Sequence, residues 1–296
     1  MNTDDDLAST RLQPYFPIVI LTLFVLSCSE KKEEPKPVPQ RKTAQAPAAA
    51  PKRDTGLYRS YYLSGGRSLT DLLSKLSDAQ KLILYKLNRR DLKHLKEGDS
   101  VVVPNSTDNE MDYSPFPLSL SDSTLKIIFV DRRIQAFAAY DSGRLVRWGP
   151  TSTGKKTTPT PEGLYHTNWK SKETHSTVNG NWVLKWYFNL DNLEGVSLHE
   201  YELPGYPASH SCVRLLAEDA FWIYNWADQW KLSPDRSKVD TTGTPVIVYN
   251  NYGYGKLPPW KKLAIDPTAT TVSDSLLHSA QQRWLIPAKT AVATVQ

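Results

Sequence analysis

The stretch 125 to 155, "LKIIFVDRRIQAFAAYDSGRLVRWGPTSTGK", constrains the fold more than any other part of the chain. Its apolar, β-branched and aromatic runs are cut by "DRR" and "DSGR", so consecutive antiparallel hairpins are expected. In "TPTPEGLYHTN" two prolines exclude helix, and Gly163 permits a turn into another strand. "GTPVIVYN" supplies a closing strand. The strong helix signal lies between them, where Glu218 and Asp219 precede "AFWIYNWADQW", since acidic residues in a first turn favour a helix N-terminus. Trp222, Trp226 and Trp230 recur every four residues there and read as core. Residues 125–250 are therefore expected to form a mainly β domain with one helix after Cys212.

Four other regions flank it. The apolar run from Ile18 to Leu26 is less than half of the roughly 20 residues a spanning helix needs, and it has the length of a secretory signal core. Residues 28–55 are rich in Pro, Ala, Lys and Glu and read as an extended tether. Residues 56–106 read as strand, helix, helix, strand: Leu69, Leu72, Leu73 and Leu76 repeat at helical spacing, as do Leu82, Tyr85 and Leu87, and "DSVVVP" is a short β run. Residues 107–124 are expected as a linker, and no role is assigned to 251–296, which either wraps the β domain or trails from it.

Charge and cysteines narrow the chemistry. The formal charge is +5 on 296 residues, but the basic residues are scattered, so nucleic acid is not an expected partner. Two cysteines cannot build a disulfide framework, and Cys28 and Cys212 stand in surroundings too different for a mutual bridge. Cys212 lies in "SLHEYELPGYPASHSCVRL" with His210 two residues before it and His199 within a loop's length. A thiol is mostly protonated near neutral pH, so a nucleophilic cysteine needs a histidine as proton acceptor. An inert buried cysteine beside chance histidines is the alternative. His166 and His175, taken with His199 and His210, match no zinc spacing, so neither metal nor organic cofactor is expected; His166 reads as a strand end and His175 as part of an exposed loop.

Three resemblances add to this. "VLSC" at the end of the apolar run resembles a bacterial lipobox, which implies a signal peptide at 1–27 and a lipid anchor on Cys28. It places the protein in the cell envelope, facing the periplasm, with the outer membrane preferred. Residues 56–106, with Asn88 shortly after the second helix and the ending "LKEGDSVVVP", resemble a LysM module, which implies binding to glycan strands; a packing domain without a ligand is the alternative. "IIFVDRRIQAFAAYDSGRLV", "TSTGKKTTPTPEGLYHT", "GVSLHEYELPGYPASHSCVRL" and "GTPVIVY" resemble the YkuD-type L,D-transpeptidases over residues 125–250. That family implies a β-sandwich acting on peptidoglycan stem peptides, with Cys212 as nucleophile and His199 as base, its ring held by the backbone carbonyl of Glu200. Ser209, His210, Ser211 and Arg214 complete the motif, with oxyanion donors at the backbone N–H groups of Ser211 and Cys212. Tyr187, Tyr201 and Tyr206 flank it as candidate cleft walls. Carboxypeptidase or protein-detaching hydrolase activity on the same site, or a wall-binding protein without activity, are the competing expectations. Ser211 stands where the family commonly has glycine, so a positive φ at that position would be strained.

Overall fold

The computed structural model describes residues 55–105, 107–121 and 125–293. The expected signal peptide, the anchor at Cys28 and nearly all of the tether lie outside them. The first elements are β1 (Tyr58–Tyr62), α1 (Ser68–Ser74), α2 (Asp78–Asn88) and β2 (Ser100–Pro104), the order read from the sequence. Ser77 starts α2 with a capping box: its hydroxyl accepts from the Gln80 N–H, and the Gln80 side chain accepts from the Ser77 N–H. Arg89 ends it in the left-handed conformation, φ 56°. Asn88 is the last residue of α2 rather than a residue beyond it, and its amide bridges the Leu84 and Val102 carbonyls at 2.8 and 2.7 Å. β1 and β2 pair antiparallel.

The β region contains β3 (Ile127–Asp131), β4 (Ala136–Asp141), β5 (Arg144–Ser152), β6 (Gly163–His166), β7 (Lys170–His175), β8 (Val183–Asp191), β9 (Val196–Glu200) and β10 (Val213–Leu215). After it come α3 (Ala217–Trp226), the short pair β11 (Lys231–Leu232) and β12 (Val239–Thr241), then β13 (Pro245–Tyr249) and α4 (Asp274–Ala293). Nine strands form one sheet in the order β6-β13-β3-β4-β5-β10-β9-β8-β7. The expected sandwich of separate sheets is thus a single sheet that curls on itself: Ile128, Val130 and Phe137 from one half share a core with Phe188, Leu198 and Val213 from the other, along with Ala220 and Ile223 of α3. "GTPVIVYN" gives β13, which closes no edge but lies between β6 and β3. Helix α3 stops at Trp226, because "ADQW" leaves the helical path, so Trp230 is off the expected stripe; Trp222 and Trp226 stack half-buried at 4.8 Å rather than filling the core.

β3 is buried at every position, "IIFVD", because both faces of its sheet are covered. The second face, with Ile127, Phe129 and Tyr140, packs against Ile83 and Leu87 of α2, Tyr113 and Phe116 of the following segment, and Trp260, Leu263 and Leu277 near the C-terminus. The segment expected as a linker is therefore part of the core where described, since its Tyr113, Phe116 and Leu120 give it apolar area to bury. From Trp260 to Leu285 the chain packs on the β region through Trp260, Leu263, Val272 and Leu277.

Charged side chains are buried along the same face. Lys86 Nζ donates to Glu110 Oε2 at 2.6 Å and to the Trp148 carbonyl at 2.8 Å, and lies 3.6 Å from Asp219 Oδ1. Arg89 donates to the Ile134 carbonyl at 2.9 Å and lies over the Trp148 and Trp260 rings. Such groups are tolerated inside a protein only when nearly every donor finds an acceptor.

Candidate active site

The cleft follows from strand alternation. On β8, β9 and β10 the residues Phe188, Leu190, Leu198, Val213 and Leu215 turn to the apolar core, so their neighbours Tyr187, Asn189, His199 and Arg214 face the opposite way. A bulge at Trp186, φ 51°, resets the alternation, so that Trp182 and Leu184 before it and Tyr187 after it line the same cavity. That cavity measures about 350 Å³. It brings together His199, Ser209, His210, Ser211, Cys212, Arg214, Tyr187 and Tyr201.

β9 and β10 run parallel, with Arg214 opposite His199, and this register sets Cys212 beside Ser197. The Ser197 hydroxyl donates to Cys212 Sγ at 3.1 Å, and the thiol points to the Gly195 carbonyl at 3.2 Å. Burial pushes the Cys212 thiol up, opposed by the Ser197 hydrogen bonds and by the Arg214 charge. His199 is only 3% exposed. Its ring is stacked on Tyr187 at 6.3 Å and meets Tyr201 edge-on at 6.0 Å. Burial lowers its pKa to about 4, which keeps the ring neutral and able to accept a proton. Nδ1 donates to the Glu200 carbonyl at 2.8 Å, so Nε2 is the atom left with a free lone pair. The Glu200 side chain lies on the other face, lining a different cavity.

The motif turn is held from both sides. Ser209 Oγ donates to the Cys212 carbonyl, Thr160 Oγ1 donates to the Ser211 carbonyl at 2.7 Å, and Thr160 Oγ1 accepts from the Gly154 N–H at 2.9 Å. Gly154 is required here, because a Cβ would stand 2.2 Å from the Thr158 carbonyl oxygen. Ser211 has φ 85°, the conformation that favours glycine. His210 Nε2 accepts from Lys155 Nζ at 2.8 Å, and its Nδ1 is buried without a protein partner. Desolvation, with the Lys155 and Arg214 charges, holds His210 below the usual histidine range. The Arg214 guanidinium lies 4.5 Å over the Tyr201 ring, with Nη1 3.5 Å from the Glu202 carbonyl.

Tyr206 is 54% exposed and is not among the residues lining the cleft; its carbonyl accepts from Ser152 Oγ at 2.7 Å. His166 ends β6 as expected. His175 ends β7 rather than sitting in a loop, and it lines the cleft. Ser197, Lys155 and Thr160 were not foreseen. The alternation of "VSLHE" does place Ser197 and His199 on one face, but nothing local shows that a thiol lies opposite. Among the described residues no group of three or more His, Cys, Asp or Glu is placed to hold a metal ion.

Residues 125–248 match the YkuD family model, the L,D-transpeptidase catalytic domain. The matched segment covers β3 through nearly all of β13 and contains Cys212 and His199. Among solved structures, an L,D-transpeptidase from Stackebrandtia nassauensis is similar at 22% identity over 46% of this chain and 60% of that one, TM-score 0.36. One from Mycobacterium smegmatis has 19% identity over 42% and 58%, TM-score 0.34. Residues 123–326 of one from Xylanimonas cellulosilytica have 22% identity over 65% and 97%, TM-score 0.38. The chain thus spans about three fifths of the length of the first two. No curated protein matches the chain.

Proposed function

We propose that the protein is a peptidoglycan L,D-transpeptidase with Cys212 as nucleophile and His199 as general base. The observation that carries the reading is one cleft holding the thiol and a neutral imidazole whose Nδ1 is tied to the Glu200 carbonyl. With the thiol raised and the imidazole lowered, the resting pair is neutral rather than a thiolate–imidazolium pair. Deprotonation is then coupled to attack. The Cys212 proton passes to His199 Nε2 as sulfur bonds to the stem-peptide carbonyl carbon, and the oxyanion is met by the backbone N–H groups of Ser211 and Cys212. His199 returns the proton to the leaving amine of the terminal D-residue, which leaves a thioester. An acceptor amine attacks that thioester, giving up its proton through His199, and the new amide and the free thiol are released. If water takes the acceptor's place, the products are those of a carboxypeptidase.

Around this core the remaining expectations stand as proposals: a lipid anchor at Cys28, a periplasm-facing place in the envelope, and glycan contact by the LysM-like module. The test is incubation with a disaccharide tetrapeptide, followed by intact-protein and product mass spectrometry, with Cys212→Ala alongside. A wild-type acyl-enzyme with release of the terminal D-residue, absent in Cys212→Ala, is expected. A wild type that sediments with sacculi but gives neither adduct nor product would overturn the enzyme reading in favour of a binding protein.

A further inference from the structure

The twelve residues 201–212 between β9 and β10 carry the return from His199 to Cys212, and the N-terminal module grips them. Just beyond α2, Asp91 makes a two-way pair with Leu203: the Asp91 N–H donates to the Leu203 carbonyl at 3.1 Å, and the Leu203 N–H donates to Asp91 Oδ2 at 2.8 Å. The other carboxylate oxygen, Oδ1, accepts from the His94 N–H at 3.2 Å and meets His94 Nδ1 at 2.6 Å. Neighbouring contacts fall on the same segment. Arg90 bridges Pro204 and lies so close to Gly205 that a Cβ there would stand 2.7 Å from its Nε, while Lys93 pairs with Glu202. Leu203 is fully buried.

The two residues immediately before Leu203 hold Arg214. Tyr201 supplies the ring beneath the guanidinium, and Glu202 supplies the carbonyl that faces Nη1. Arg214 in turn shares the cleft with Cys212 and His199.

We propose that Asp91 is a positioning residue for the candidate active site: by fixing Leu203 it sets Tyr201 and Glu202, and through them the place of the Arg214 guanidinium beside Cys212. The module is then a working part of the site as well as a neighbour of it. This rests on the reading of Cys212 as a reactive thiol. The charged and titratable groups facing the thiol's cleft are Arg214, His199, Tyr187 and Tyr201 from the adjoining strands and loop, His175 at the end of β7, Asp191 and Glu194 at the β8–β9 turn, and His210 with its partner Lys155 across the motif turn.

The test is the rate of Cys212 alkylation by iodoacetamide against pH, read by intact mass on the full chain, with a thermal melt of each variant. Asp91→Ala is expected to move the alkylation midpoint to higher pH and to slow the reaction at mildly alkaline pH by about three- to tenfold, equivalent to half to one pH unit. Asp91→Asn keeps one acceptor oxygen where the carboxylate serves both Leu203 and His94, so it is expected to shift the midpoint in the same direction by less. It decides the matter if the alanine variant fails to fold. In an Arg214→Met background the Asp91 effect is expected to vanish. A folded Asp91 variant with an unchanged midpoint, or an Asp91 effect that persists without Arg214, would overturn the proposal. Alkylation needs no substrate, so a wild type that alkylates normally but turns over no peptide would count against the proposed activity and leave this inference standing.

Discussion

Strands β3, β4 and β13 and strands β7 to β10 belong to one sheet, yet they are built differently. In the first set both faces are dry: Ile128 and Val130 face one core, and Ile127 and Phe129 face the other. Its left-handed residues, Gln135, Ser142, Gly143 and Asn250, sit in turns at the strand ends, and its register shift, at Ala139/Tyr140, lies on the β4–β5 pairing. In the second set one face is the cleft, and the irregularities lie inside the working parts. Trp186 is left-handed within β8, the β8–β9 register shifts twice, and Ser211 is left-handed beside the thiol. Each set has a buried polar atom without a hydrogen-bond partner, Tyr249 Oη in the first and His210 Nδ1 in the second. Packing accounts for the first set. The second keeps left-handed, register-shifted backbone at the place where chemistry is proposed, which is where such costs persist when neighbouring structure holds them.

Three substitutions sharpen or break this contrast. Phe129→Ala should cost about 3 to 5 kcal/mol in chemical denaturation, because it empties a fully buried site edged by the Tyr140 and Tyr249 rings. A cost under about 1 kcal/mol would mean the dry half is less tightly packed than its burial indicates. The next effect is set by pH. His199 has a folded pKa of about 4 against 6.5 for an ordinary histidine, so as pH falls through that window the unfolded chain takes up a proton the folded one refuses. Stability contributed above that window should be lost on acidification, on the order of 3 kcal/mol, and denaturation curves of His199→Gln should show a correspondingly shallower loss. The smallest effect is expected from Ser211→Gly. It relieves the positive φ but gives up the Ser211 hydroxyl's bond to the Glu194 carbonyl, for a net gain of about 0.5 to 1 kcal/mol in a thermal melt with alkylation of Cys212 retained. A loss of stability would show that the hydroxyl, not the backbone, governs that turn.

Much of the contrast was legible in the sequence for a local reason. "IIFVDRRIQAFAAYDSGRLV" declares its hairpins through runs and turn residues, and "HSC" marks the candidate site through residue type. Ser211 even announced its strain, since a serine stood where a glycine is usual. What escaped was long-range. Asp91 meets Leu203 across 112 residues and Lys86 meets Trp148 across 62, and no periodicity near either residue encodes the partner. Residues 107–121 were hidden by composition: polar residues and proline are interspersed throughout, while the three side chains that anchor the stretch, Tyr113, Phe116 and Leu120, follow no strand or helix period. Tyr206 looked like its neighbour Tyr201 by proximity to the motif, but Pro204 and Gly205 turn the chain away between them.

The parallel pairing of β9 with β10 has a consequence for how such a chain can diversify. Parallel neighbours need a crossover of about a dozen residues or more, and here the connection has only the twelve residues 201–212. Deletions within it should be lethal to the site, and insertions would have to bulge past the Asp91 grip. The tip of the β7–β8 hairpin, where Thr177 and Val178 are exposed at the rim of the same cleft, carries no such length constraint. Gain and loss of residues among descendants of this sequence should therefore collect at that tip, leaving the return to Cys212 at fixed length while the cleft's outer wall changes.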